Sequence, residues 1–350
     1  MVMARRPDVK TAAASIAAID TLGLAEQMAN ALVRVPFRAL PDSGDSRLHR
    51  IGASVTREVV RTFMGYCSSL PIDEFRSIEL LLDDLCQVVM RPVVGAQRVQ
   101  TERAEVGGVP GVWYRPRSAR RQGQILYLHG GGHIGTSPAM YAFFTAALAN
   151  ATACEIFVAD YRLAPAFPFP AGLEDAVDAL EAMLSTDLPA HRLFVAGDSS
   201  GAGTACSLMY EADALHLPRL GGLVLFSPEA DLRLDQPSVT ENAGKDILPW
   251  NIPTTSYLHG ADASSGILSA IDQDVERWPP TFIAYGDDEM LRDSIRLLVE
   301  HLRHAEVDTT AIEAPGMFHV FPILMPWAAA SREVSAEVGR FVRHHLERDG

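Results

Sequence analysis

The residue best placed to do chemistry is Ser199, set in Gly197-Asp198-Ser199-Ser200-Gly201 directly after the apolar run Leu193 to Ala196. A serine in this G-x-S-x-G spacing, at a turn from strand to helix, stands exposed on a sharp bend, and the glycines leave room for the strained backbone. Its hydroxyl could attack a carbonyl carbon. A second stretch supplies what such an attack requires: His129-Gly130-Gly131-Gly132-His133 follows the short apolar run Ile125 to Leu128. Consecutive glycines expose backbone N–H groups without side-chain obstruction, and donors of that kind hold a carbonyl oxygen as it becomes negative. A flexible turn would explain the glycines alone, but not their occurrence together with a G-x-S-x-G after another strand of the same sheet.

A serine hydroxyl is a weak nucleophile at neutral pH, so it needs a histidine base, and that base needs a carboxylate to fix its tautomer. On a strand-turn-helix scaffold of this type the chain order is serine, acid, histidine. Of the 11 histidines, His319 lies in Gly316-Met317-Phe318-His319, a loop after the last expected strand and before the final helix. His301, His304, His344 and His345 fall on polar helix faces and read as solvated. His129 reads as orienting its own loop, and His133 as facing either substrate or solvent. Asp160, Arg162 and Asp198 stand beside strand ends and read as holding loops through ion pairs and hydrogen bonds. For the acid, three carboxylates crowd Tyr285-Gly286-Asp287-Asp288-Glu289-Met290-Leu291. Asp287 and Asp293 read as loop and helix-start charges.

The elements that must position these groups alternate. Residues 101–106 and 109–114 are separated by Gly107-Gly108, a hairpin signal. Short apolar runs at 125–128, 155–159, 193–196, 223–226, 281–285 and 308–313 are then interleaved with helical patterns at 138–149, 172–184, 199–212, 292–304 and 331–346. That alternation predicts an α/β fold with a mostly parallel sheet covered on both faces, the hairpin forming its antiparallel edge. In such sheets function collects at the carboxyl ends of strands, where both glycine motifs lie. The segment 229–278 is too long for a plain loop, carries a helical patch at Pro253 to Leu258, and reads as a lid element near the site.

Residues 1–95 read as helix, with amphipathic stretches at Ser46 to Leu70 and Pro71 to Met90, the second stopped by Arg91-Pro92. The expected organisation is a helical region over 1–95 that contributes to a cap, followed by a catalytic domain over 96–350.

The 350 residues, with 48% hydrophobic and 21% charged content, are ample for a substantial core. Lys and Arg number 30 against 44 Asp and Glu, a formal charge of -14 without any basic block, which argues against a nucleic-acid partner. Cys67, Cys86, Cys154 and Cys206 show no metal-ligand spacing and read as free thiols in a reducing compartment, with Cys206 in the core. The Ala-rich run Thr11 to Ile19 is cut by Asp20, too short for a membrane span and poor as a signal segment, so cytoplasm is the default location. No metal is expected, and a homodimer is left open.

His129-Gly130-Gly131-Gly132, Asp160-Tyr161-Arg162-Leu163-Ala164-Pro165, Gly197-Asp198-Ser199-Ser200-Gly201 and Gly316-Met317-Phe318-His319 together resemble the hormone-sensitive-lipase-like family of α/β-hydrolases, in its bacterial carboxylesterase and lipase branch, over residues 98 to 347. The resemblance implies the α/β-hydrolase fold and hydrolysis of short- to medium-chain acyl esters through an acyl-enzyme, without metal or organic cofactor. It implies Ser199 as nucleophile, His319 as base, and the N–H groups of Gly131, Gly132 and Ser200 as the oxyanion hole. The family places its acid two residues before a leucine, here Glu289, with Asp288 as runner-up. This sequence departs from the family at His133, where an aromatic is usual, at Ser200, where alanine is common, at Ala166-Phe167 and at Ala202-Gly203. The fold also serves small-ligand receptors that have lost hydrolysis, and the same triad serves amidases and peptidases, so those are the alternatives.

Overall fold

The structure is a computed structural model that describes residues 10–37, 47–117, 123–249, 252 and 254–347. Residues 1–9 and 38–46 of the expected helical region, and Pro253 of the expected helical patch, lie outside these. Three helices come first: α1 (Ala14–Arg34), α2 (Arg47–Ser69) and α3 (Ile72–Ala96). The hairpin β1 (Val99–Val106) and β2 (Val109–Pro116) follows. Then come β3 (Gln124–Leu128), α4 (Ala142–Thr152), β4 (Glu155–Ala159), α5 (Ala171–Leu184), β5 (Leu193–Asp198), α6 (Ser199–Ala214) and β6 (Gly222–Phe226). After the short helices α7 (Pro237–Glu241) and α8 (Thr254–Leu258), the chain closes with β7 (Thr281–Gly286), α9 (Arg292–His304), β8 (Thr309–Ala314), α10 (Phe321–Leu324) and α11 (Ala329–Glu347).

The eight strands form one sheet in the order β1-β2-β4-β3-β5-β6-β7-β8, antiparallel across β1, β2 and β4 and parallel from β4 onward. Every residue of β4, β5, β6 and β7 is buried, as a parallel sheet clad on both faces requires. Period-two alternation divides each strand between two cores. In β5, Leu193 and Val195 pack towards α5, α6 and α9, whereas Phe194 and Ala196 pack towards α4 and α11. The register aligns the carboxyl ends: Leu128 lies opposite Gly197, Asp198 opposite Phe226, and Gly286 opposite Ala314. The loops leaving β3, β5, β6, β7 and β8 therefore open on one edge.

The first helices meet that edge. Arg57 of α2 donates to the carbonyl of Gly316 at 2.9 Å and pairs with Asp288 at 3.0 Å. Arg76 of α3 donates to the carbonyl of Ala164 at 2.8 Å, and the Phe75 ring crowds Gly135.

Two expectations are corrected. Arg91-Pro92 does not end α3, which runs on to Ala96 with Pro92 inside it. Burial of Val94 and the amide of Gln97, which bonds back to the carbonyls of Val93 and Val94, hold the last turn despite the missing proline N–H. Among the histidines expected in solvent, His345 is buried with its ring 4.6 Å from that of Phe341, and Nε2 of His301 lies 2.7 Å from the carbonyl of Gln273. The cysteines are free thiols, Cys206 in the core. Among the described residues, no helix is long and apolar enough to cross a membrane.

Candidate active site

Ser199 opens α6 with φ of 51°, a left-handed conformation that an L-residue adopts only where the surroundings enforce it. The enforcement is close packing: a Cβ at Gly201 would stand 2.2 Å from the carbonyl oxygen of Leu128, so only glycine lets α6 start this near to β3. The bend leaves Ser199 half-buried while its neighbours Asp198 and Ser200 are fully buried.

Three loops converge on its hydroxyl. Nε2 of His319 lies 2.8 Å from Oγ of Ser199, and Nδ1 of the same ring lies 3.1 Å from Oε2 of Glu289. A carboxylate only accepts, so the proton sits on Nδ1 and the Nε2 lone pair faces the serine. Glu289 is itself held. Its Oε1 accepts from the Ser227 hydroxyl at 2.7 Å and from the N–H of Gly286 at 2.5 Å. Asp288 turns the other way, pairing with Arg57 and, at 3.5 Å, with Lys245. Of the three adjacent carboxylates, the geometry brings Glu289 to His319. Asp287 instead accepts the N–H of Gly316 at 2.6 Å.

Burial of the His319 ring disfavours its charged form, but the hydrogen bond and charge of Glu289, with further help from Asp246 and Asp198, outweigh it and raise its pKa above 6.5. Burial pushes Glu289 upward, opposed by its bond to His319 and by the Gly286 N–H.

Gly131 and Gly132 stand at φ of 126° and 63°. Among the described residues their N–H groups meet no protein acceptor, and that of Ser200 belongs to the first turn of α6, whose amides have no intrahelical partner. Free donors at a helix N-terminus favour negative charge. Asp198 anchors this loop: its carboxylate accepts from Tyr127 and Tyr141, each at 2.8 Å, and from the N–H of Gly130 at 3.0 Å. Burial pushes Asp198 up to about 6 against those three bonds. His129 lies within its own loop, Nδ1 at 2.8 Å from the Thr136 hydroxyl, and Arg162 pairs with Asp175 at 2.8 Å. His133 does not face solvent. It is buried against Tyr257 and Glu229.

Sequence reasoning missed Asp246. This fully buried carboxylate accepts backbone N–H bonds from His319 at 2.9 Å, Met290 at 2.7 Å and Ile247 at 2.7 Å, so one side chain fixes the loops carrying both His319 and Glu289. Asn242 adds a bond from its amide to the carbonyl of Glu289 at 2.8 Å. Both lie in the 229–278 segment, where no period or motif marks them. Asp246→Asn is expected to turn an amide NH₂ towards a backbone donor, costing about 1–3 kcal/mol in denaturant unfolding and about tenfold in kcat as the base loses its alignment. Unchanged turnover in the folded variant would remove Asp246 from this role.

The pattern of the alpha/beta hydrolase fold family matches residues 125–323. An acetyl-hydrolase of Streptomyces hygroscopicus is 33% identical over 243 residues, 68% of this chain and 81% of that protein. An esterase of Acinetobacter venetianus is 26% identical across 75% of this chain and 86% of its own length. Among solved structures, a hormone-sensitive lipase from a metagenome library superposes with a TM-score of 0.74 at 30% identity, covering 83% of this chain and 98% of that one. An esterase of the bacterial hormone-sensitive lipase family gives 0.73 at 27% identity, with coverage of 83% and 98%. The chain therefore belongs to the α/β-hydrolase fold family, in its hormone-sensitive-lipase-like branch.

Proposed function

We propose that this protein is a serine carboxylesterase that cleaves short- to medium-chain acyl esters. The observation that carries the reading is the continuous relay from Ser199 Oγ to His319 Nε2 at 2.8 Å and from His319 Nδ1 to Glu289 at 3.1 Å. Ser199 attacks the ester carbonyl while His319 takes its proton. The N–H groups of Gly131, Gly132 and Ser200 receive the oxyanion, and Glu289 stabilises the imidazolium. His319 then protonates the leaving alcohol, and water, activated by the same ring, releases the acid from the acyl-enzyme. The chemistry draws on no metal or organic cofactor. The names borne by its relatives, acetyl-hydrolase and esterase, support ester substrates. The test is turnover of p-nitrophenyl esters across a series of acyl lengths. A folded enzyme inert towards the whole series would end the reading.

Residues 1–95 and the 229–278 segment wall the acyl side in this proposal. Contacts of Arg57, Phe75 and Arg76 with the carboxyl-edge loops support it. Apolar surface there would exclude water and strengthen the oxyanion contacts. Phe75→Ala is expected to move the optimum acyl length in that ester series. An unchanged profile would place α3 outside the pocket.

A further inference from the structure

His133 is the first side chain after the bare glycines of the oxyanion loop, and the reaction as proposed gives it no task. It is 4% exposed, and its Nε2 lies 3.2 Å from Oε2 of Glu229, which is 5% exposed. Its ring lies flat on Tyr257, centroids 3.5 Å apart and planes 3° from parallel. The two atoms stand at ion-pair distance without an aligned hydrogen bond between them; burying a carboxylate and an imidazole in that arrangement is costly, a cost that a positioning role would explain.

The backbone of the two residues defines that geometry. The N–H of His133 donates to Ser200 Oγ at 3.2 Å, and its carbonyl accepts the N–H of Ala164 at 2.9 Å. The N–H of Glu229 donates to the carbonyl of Ser199 at 3.1 Å. One end of the pair is thus bonded into the loop that carries Gly131 and Gly132, and the other into the turn that carries Ser199. Two glycines at positive φ have no side chain to pack, so the loop is held from outside: by Asp198 at Gly130, by the N–H groups of Ile134 and Gly135 on the Gly131 carbonyl, and at its far end by His133.

We propose that the His133–Glu229 pair is a second positioning device of the oxyanion hole beside Asp198, setting the distance between its glycine donors and Ser199. The proposal rests on the esterase reading. His133→Phe keeps an aromatic face for Tyr257 but cannot pair, and Glu229→Leu leaves the imidazole unpaired. Glu229→Gln keeps the size and polarity of the side chain without the charge.

The experiment measures kcat per organophosphate-titrated site, KM for a p-nitrophenyl ester, and the affinity of a trifluoromethyl ketone, which forms an oxyanion on the serine. His133→Phe and Glu229→Leu are each expected to lower kcat about tenfold or more, with KM changed less than about threefold and ketone affinity falling by the same factor as kcat. The double variant is expected to be no worse than the weaker single, because the two residues act as one unit. Glu229→Gln should fall between wild type and Glu229→Leu, an order that decides the matter even if His133→Phe fails to fold. Per-site kcat and ketone affinity equal to wild type in Glu229→Leu, or multiplicative losses in the double variant, would overturn the proposal and leave the pair a packing role. A wild-type protein with neither turnover nor labelling would instead overturn the esterase reading, and this proposal with it.

Discussion

Ser199→Ala is expected to lower kcat by about 10⁵- to 10⁶-fold while leaving the fold intact. In the proposed reaction the hydroxyl is the atom that bonds to the acyl group, and without it His319 has no proton to take. What activity remains comes from binding and the oxyanion donors, about 10³- to 10⁴-fold over water. Stability should change little, because among the described residues the Ser199 side chain bonds only to Nε2 of His319, whereas the strained turn is enforced by the contact of Gly201 with β3. Steady-state kinetics with circular dichroism on the same sample check it. A folded variant within about a hundredfold of wild type would mean that the reaction runs through another residue.

Glu289→Gln is expected to cost about 10³- to 10⁴-fold in kcat, because an amide can hold the imidazole in the wrong tautomer and offers no charge to the imidazolium. The shape of the pH profile carries a second signature. As the proposed base His319 must be neutral to act, and its pKa is raised, so wild-type kcat/KM should fall as pH drops through a value above 6.5. Removing the Glu289 charge takes away the largest of the influences that raise this pKa and leaves the lowering effect of burial in place. The acid limb should then move to lower pH. Burial also pushes Asp198 up to about 6, but the neighbours that act on it are Tyr141, Tyr127, the Gly130 N–H and His319, not Glu289. A moving limb assigns the titration to His319. Asp288→Asn, which only loosens ion pairs with Arg57 and Lys245, should cost less than about tenfold. The reverse ranking, or a limb that stays put in Glu289→Gln, would move the acid to Asp288.

The parts of this site that could be read from the sequence are those in which the chemistry demands a local backbone. Gly131 at positive φ and Gly201 against a carbonyl each answer to a steric rule that writes itself into adjacent residues. The α/β alternation was legible for the same reason, since strands buried on both faces are short apolar runs. His319 stood out only through its loop and its place in the chain order. Asp246, Asn242 and Ser227 were illegible. Their bonds to Glu289, Met290, His319 and Val320 span 44 to 93 residues along the chain, and no spacing announces a carboxylate that will cap backbone amides in another loop. His133 could be seen as a departure from its relatives, but Glu229, its partner 96 positions on, could not be matched to it. Pro92 misled for a related reason: a proline rule is local, and the packing of Val94 that overrides it is not.

The most direct test of the central claim is to trap the acyl-enzyme. Mixing the protein rapidly with p-nitrophenyl acetate and quenching in acid should give a burst of p-nitrophenol, together with a peptide containing Ser199 that is heavier by one acetyl group. The burst should be absent in Ser199→Ala. Steady turnover of the ester in which no acetyl group is found on Ser199, or in which it is found on a different residue, would contradict the account.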